Sequence, residues 1–518
     1  MKKLAFALLL ASAPALADLP AGFDARVEAL RVKAGAPGLA IAVVEHGEVV
    51  LARGYGVRKL GSPAKVDADT LFMTGSTGKA MTVAALATLV DAGKLGWDDK
   101  VVDRLPGFQM HDAWVTREMT VRDLLVHRSG LGLGAGDLLF VPRGSLSRAE
   151  IVRRLRYIKP ATSFRNAYAY DNILYTVAGA VIEAVSGQRY EEYMRDHVFR
   201  PAGMTTATGD PAVRLSTVDR AAPHARVSGV VRQLGSQQVL DERDQLGQSS
   251  APAGLLALSA NDLSKWILVQ LARGKLPKGG HLFSKEAAAE MWKPVTIEPV
   301  NAMPPELTGL TPSFQNYALG WEVRDYNGAR IVWHSGGVFG FTTIVALIPE
   351  KDVGFAITLN CEDSVIRMGL MWELIDHYLG RPAQDWPSRY ESYLNRRFAA
   401  AAASVTQAAA APARVGPSLP TARYAGTYVD PWYGNVVVGA DAKGLTIDFT
   451  TTPKMKGRLE HYQYDSFVAR FDDKGIEPAY VSFGLDAQGQ VDQIKMKPVS
   501  PTADFSFDYQ DLDLRRAR

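Results

Sequence analysis

The alanine-rich tract at residues 399–411, followed at once by Pro412-Ala413-Arg414 and then by Pro417 and Pro420, divides this chain into parts that obey different patterns. Ahead of it, apolar residues recur with both helical and strand periods. Beyond it, from Arg423 onward, only short strand-like runs between turns remain. A shift of that kind marks a linker between separately built units. The expected division is a main unit at 18–390, a linking region at 391–420 and a C-terminal unit at 421–518.

Within the main unit, Phe23, Val27 and Leu30 space like a short amphipathic helix, and residues 39–44 and 49–52 read as strands joined around His46-Gly47. His46 is there a turn residue. A strongly apolar helix runs from Ala80 to a stop at Gly93, and a second covers 173–185 before Gly187. Between 98 and 209 the chain is otherwise rich in loops. A third helix is expected at 255–271, with Ser259 or Asn261 as internal caps. Strands at 317–323, 329–333, 341–348 and 353–359 follow, and a helix at 365–379 closes the unit. This order predicts an α+β fold, one antiparallel sheet with helices packed on it. Runs at 424–429, 434–438, 445–449, 466–471, 480–485 and 491–496 predict a small antiparallel β-barrel as the C-terminal unit.

With 518 residues and 47% hydrophobic content, the chain can bury a large core. Its 58 basic and 55 acidic residues balance, so nothing electrostatic points to nucleic acid. Met1-Lys2-Lys3, the apolar stretch from Leu4 to Leu10 and Ala15-Leu16-Ala17 read as a secretory signal at 1–17. A periplasmic or secreted protein is therefore expected, without a membrane anchor. The single cysteine, Cys361, excludes an intramolecular disulfide and beside an apolar strand reads as a structural thiol. His111, His127 and His224 lack close ligand spacing, so neither metal nor cofactor is expected.

Three segments carry chemistry. Ser76 and Lys79, in Ser76-Thr77-Gly78-Lys79, stand one helical turn apart at the start of the apolar helix. A serine hydroxyl is a weak nucleophile without an adjacent acceptor, and a desolvated lysine can supply one. In Tyr170-Asp171-Asn172, ahead of the second helix, Tyr170 could move a proton if the positive charge of Lys79 depressed its pKa. Asn172 can hold the lysine amine and a substrate amide together. In Trp333-His334-Ser335-Gly336-Gly337, small residues let a substrate lie along a strand edge. The amides of Gly337 and Ser76 are the expected oxyanion donors.

Ser76-x-x-Lys79, Tyr170-x-Asn172 and His334-x-Gly336, in that order, resemble the serine beta-lactamase and penicillin-binding-protein-related family, especially its class C, DD-peptidase, D-aminopeptidase and esterase-like branch. Residues 120–131 and the stretch Pro252-Ala253-Gly254-Leu255-Leu256 support the likeness, which covers about residues 20–385. The resemblance implies a beta-lactamase-like sheet, with Ser76 acylated, Lys79 and Tyr170 sharing general base and acid work, and Asn172 orienting the site. It further implies that His334, Ser335 and Gly336 line the substrate strand. The C-terminal barrel resembles the lipocalin-like extra domain of some members.

Two departures bear on the substrate. Where relatives commonly carry Lys-Thr-Gly, this chain has His334-Ser335-Gly336, giving up a permanent cation suited to a carboxylate. Asp171 stands where a serine is often found, adding negative charge near the cleft. The resulting expectation is a serine hydrolase cleaving amide bonds of small peptides. Carboxylesterase or weak beta-lactamase chemistry is the enzymatic alternative, and a penicillin sensor or scaffold without turnover the alternative of another class. Peptide, ester and lactam substrates all stay open, as do the terminus attacked and a homo-oligomer.

Overall fold

The computed structural model describes residues 19–243, 246–410 and 415–517, so the leader-like segment at 1–17 lies outside the described residues. Helix α1 (Phe23–Ala34) precedes the hairpin of β1 (Gly38–Glu45) and β2 (Glu48–Gly56). Helices α2 (Lys79–Asp91), α3 (Ile173–Ser186) and α4 (Ala260–Leu271) come next. Strands β3 (Thr296–Ile297), β4 (Gln315–Tyr317), β5 (Glu322–Tyr326), β6 (Ala329–Val338), β7 (Phe341–Ile348) and β8 (Val353–Leu359) then lead into α5 (Ser364–Tyr378) and α6 (Trp386–Ala409). The strands form one antiparallel sheet in the order β2-β1-β8-β7-β6-β5-β4-β3.

The sheet is covered on both faces, which is why its strands read as continuous apolar runs. Along β1, Leu39, Ile41 and Val43 face one core with α1, α5 and α6, while Ala40, Ala42 and Val44 face the other with α2, α3 and α4. The second core continues through the helices into the C-terminal unit, where Tyr433, Phe449 and Tyr509 belong to the same apolar cluster.

Local chemistry corrects several expected boundaries. The strand expected at 317–323 is broken into β4 and β5 by a tight turn in which the Ala318 amide donates to the Trp321 carbonyl at 2.7 Å. Helix α4 starts only at Ala260, because Ser259 caps it in a capping box with Asp262. The preceding Ala257–Leu258 instead pairs with Phe72–Met73. Strand β6 continues through Val338, so His334, Ser335 and Gly336 lie within a strand. Much of the alanine tract is helical to Ala409, in keeping with alanine's intrinsic preference.

The C-terminal unit is a closed antiparallel barrel of β9 (Gly426–Asp430), β10 (Gly434–Asp441), β11 (Gly444–Phe449), β12 (Lys456–Gln463), β13 (Ser466–Phe471), β14 (Ala479–Leu485), β15 (Val491–Pro498) and β16 (Leu514–Arg516). Two of these escape the apolar pattern. In β12 the exposed Lys456 and Glu460 flank the buried Gly457 and Leu459, which Arg458 separates, and β16 is short and ends in two arginines. Between β15 and β16 the chain leaves the barrel wall and reaches the main unit.

Candidate active site

Ser76 stands on a 3-10 turn, Gly75–Gly78, that runs directly into α2, so Lys79 opens the helix and its side chain leans back over the turn. Its amine lies 3.0 Å from Ser76 Oγ, 2.7 Å from Asn172 Oδ1 and 2.8 Å from the Ala253 carbonyl oxygen. Two of those partners can only accept. A neutral amine therefore spends both N–H groups on Asn172 and Ala253, and its lone pair is left facing the one partner able to donate, the serine hydroxyl. Burial supplies the neutral form: desolvation pulls the Lys79 pKa down to about 7, against the opposing pull of Asp137 and Asp171.

Tyr170 does not match its expected electrostatics. Its phenol is buried against Ser76 without a normal hydrogen bond, and desolvation raises its pKa well above the ordinary value. Lys79 sits 4.8 Å above the ring, yet an amine that is half neutral near pH 7 cannot offset that burial. Burial thus keeps the Tyr170 phenol protonated, where the sequence suggested a depressed pKa.

Asn172 is held from behind. Its Nδ2 donates to Asp137 Oδ2 at 2.8 Å, and the same carboxylate oxygen accepts from Ser506 Oγ at 2.8 Å. Ser506 belongs to the segment between β15 and β16. Nearby, the Asp508 carboxylate accepts from the amides of Gly136 and Leu138 at 2.7 and 3.0 Å, and the Phe505 ring meets Tyr170 at 5.8 Å. The segment between β15 and β16 therefore forms part of the surroundings of Asn172 and Tyr170. Asp137 lies 369 residues from Ser506 in a motif-free loop, so no local pattern could have flagged the pair.

The strand motif divides in two. His334 is buried, its Nε2 at 2.8 Å from the Tyr317 hydroxyl and its Nδ1 at 2.6 Å from the Ser335 carbonyl. Desolvation drives its pKa to about 3, so the ring is neutral, as its replacement of a lysine implied. It belongs to an aromatic cluster with Tyr317 and Tyr170 behind the cleft. Gly336 and Gly337 do face the nucleophile. A Cβ on Gly336 would lie 2.1 Å from the Thr74 carbonyl and 3.0 Å from the Ser76 amide nitrogen, and one on Gly75 would lie 2.7 Å from the Gly337 amide nitrogen. Only glycine permits this approach of strand to turn.

Strand β6 also outruns its neighbour. Residues 329–333 pair with β5, while 334–338 pair with β7 alone, leaving a strand edge open beside Ser76. A cavity of about 290 Å³ lies there, bounded by Ser76, Asn172, Gly337, Phe339 and, from the barrel side, Thr502 and Ser506.

Asp171 sits beneath the cleft, not in it. Its carboxyl is buried, accepts from Ser129 Oγ at 3.0 Å and has a pKa raised by burial to about 7. His127 packs over Tyr170 at 4.1 Å and accepts the Asp171 amide at Nδ1. Among the described residues, no group of three His, Cys, Asp or Glu is arranged to hold a metal, and no helix is long and apolar enough to cross a membrane.

Sheet, helices and the Ser76–Lys79 pair at the head of α2 are those of a serine hydrolase fold. The family is then direct: the chain belongs to the Beta-lactamase family, whose model matches residues 23–379, while residues 410–516 match a domain of unknown function, DUF3471. It is 31% identical to the Unguisins hydrolase ungD' of Aspergillus campestris, over 78% of this chain and 74% of that protein. It is 29% identical to Penicillin-binding protein 4 of Amycolatopsis lactamdurans, over 66% and 85%. Among solved structures, the octameric penicillin-binding protein homologue from Pyrococcus abyssi shares the fold at a TM-score of 0.58 and 20% identity, covering 96% of this chain and all of that one.

Proposed function

We propose that this protein hydrolyses amide bonds of small peptides through an acyl-enzyme on Ser76. The observation that carries the reading is the threefold seat of Lys79, which aims the amine lone pair at Ser76 Oγ. Ser76 Oγ attacks the substrate carbonyl while its proton passes to Lys79. The oxyanion forms against the Ser76 and Gly337 amides. On collapse the C–N bond breaks, and the proton reaches the leaving nitrogen from Lys79 by way of Tyr170. Water then attacks the ester, gives its proton to the same amine, and frees Ser76. The open edge of β6, where an extended chain can pair, supports peptide over a compact ester, and the hydrolase name of the fungal relative supports hydrolysis. Export to a periplasm or medium is part of the same proposal, resting on the leader-like residues 1–17.

The test is Ser76→Ala set beside the wild type on short L- and D-peptides, p-nitrophenyl esters and a chromogenic cephalosporin, with mass spectrometry of the trapped acyl-enzyme. Turnover should fall by about a thousandfold or more with the adduct gone. Undiminished hydrolysis by the variant would refute the reading. Labelling of wild-type Ser76 without turnover would make the protein a sensor.

A further inference from the structure

Strand β6 carries no cation of its own, because burial holds His334 neutral. The helix that follows the sheet supplies one. Arg367, in the first turn of α5, extends its Nη1 to the carbonyl oxygens of Gly336 at 3.3 Å and Thr343 at 3.4 Å, two residues that face each other across the β6–β7 ladder. Its Nη2 donates to Ser364 Oγ at 3.3 Å, and its Nε is buried without a partner. Among the described residues, every acceptor it meets is therefore neutral. Desolvation lowers its pKa to about 10, which still leaves it cationic at neutral pH.

This is an unfavourable place for a charge. A cation in the first turn of a helix opposes the helix dipole, and a guanidinium without a counter-ion exchanges its hydration for long contacts. The nearby acids do not offset that. Asp363 accepts the Ile366 amide at 2.8 Å and burial pushes its pKa up, while burial raises that of Glu322 well above the ordinary value. Arg232, on the wall of the same cavity, is by contrast closed off in an ion pair with Glu362.

What the position gains lies in the peptide it touches. The Gly336 carbonyl and the Gly337 amide belong to one trans peptide unit, so they point in opposite directions. The carbonyl meets the guanidinium, and the N–H turns away from it, on a nitrogen that a Cβ at Gly75 would approach to 2.7 Å. A cation on a carbonyl oxygen draws electron density through the amide and makes its N–H a stronger donor. We propose that Arg367 polarises the 336–337 peptide and so strengthens the Gly337 amide as a donor to the oxyanion. The role rests on the acyl-enzyme reading and deepens it. Charge left without a counter-ion in the resting protein meets negative charge when the tetrahedral intermediate forms, which is where electrostatic preorganisation counts. Arg367 is thus a positioning residue that acts through a backbone group.

The experiment uses the full chain with glycine labelled at both its carbonyl carbon and its nitrogen. Only two Gly-Gly pairs occur in the sequence, Gly279-Gly280 and Gly336-Gly337, so a carbonyl-to-nitrogen correlated NMR spectrum isolates the peptide in question beside an internal control. Arg367→Gln keeps a hydrogen-bond donor and loses the charge, whereas Arg367→Lys keeps the charge. The Gly337 nitrogen should move upfield in the Gln variant and stay near its wild-type position in the Lys variant, with Gly280 unmoved in both. On the best peptide of the screen, kcat should fall about tenfold for Arg367→Gln with KM little changed, and Arg367→Lys should recover most of the loss, as an interaction made in the transition state requires. An unmoved Gly337 signal in Arg367→Gln, equal displacement by both variants, an unchanged kcat in an active enzyme, or a loss carried by KM would overturn the proposal. A wild-type chain that never turns over fails the hydrolase reading alone, because the Gly337 shift is read in the free protein.

Discussion

Lys79 is where burial becomes chemistry. With its pKa near 7, the fraction of neutral amine falls about tenfold per unit below that point, so kcat/KM should lose about tenfold per unit on the acid side. Asp171 helps to hold the lysine proton, and Asp171→Asn should move that acid limb to lower pH in a pH-rate profile. The same variant has a signature in stability. A buried carboxyl raised from 3.8 to about 7 contributes stability that is full below about pH 4 and is lost as pH rises through 7. Thermal melts of Asp171→Asn should therefore decline less between pH 4 and 7 than those of the wild type, with Asp137 and Glu298 among the buried carboxyls that keep part of the slope. His127 acts on the neighbouring tyrosine. Its carbonyl accepts the Ala169 amide at 3.0 Å and its Nδ1 the Asp171 amide at 3.1 Å, so it grips the chain on both sides of Tyr170. His127→Asn retains an acceptor near the Nδ1 position, whereas His127→Leu strands the Asp171 amide and should cost kcat about tenfold beyond the Asn variant. Ser76, Lys79, Tyr170 and Asn172 were legible in the sequence because each lies in a short motif beside a periodic helix. Whether Tyr170 was acidic was not, since burial by residues distant in sequence decides it.

At the level of elements, the decisive meeting is that of β6 with the turn bearing Ser76. Gly336→Ala would drive a methyl into the Thr74 carbonyl, prising the strand from the turn and separating the two amides proposed to hold the oxyanion. The expected result is a fall in kcat of about a hundredfold with KM little changed, measured on the best peptide of the screen, as loss of a transition-state contact requires. Apolar periodicity revealed β7, β8 and helices α1 to α5 because one or both of their faces are packed, whereas the residues of α6 were read in large part as linker. It missed the reach of β6 through His334 and Gly337, where small and polar residues serve a cleft and leave no apolar signal. It also missed β12 and β16, whose inward positions are few.

For the whole molecule, two units meet at the reaction centre. Asp508 holds the amides of Gly136 and Leu138, and Ser506 reaches Asp137, which in turn positions Asn172 and through it Lys79. Asp508→Ala should lower kcat by about tenfold or more while circular dichroism of the barrel strands stays the same, because it frees a loop of the main unit. The sequence marked the boundary between the units through composition, and gave no sign that the second returns to the first, since that contact is written in no period or motif. Inheritance is constrained accordingly. A recombination event that exchanged the barrel for a relative's would have to carry residues 499–513 in a form matched to Asp137 and Tyr170, so the two units can diverge only as a pair.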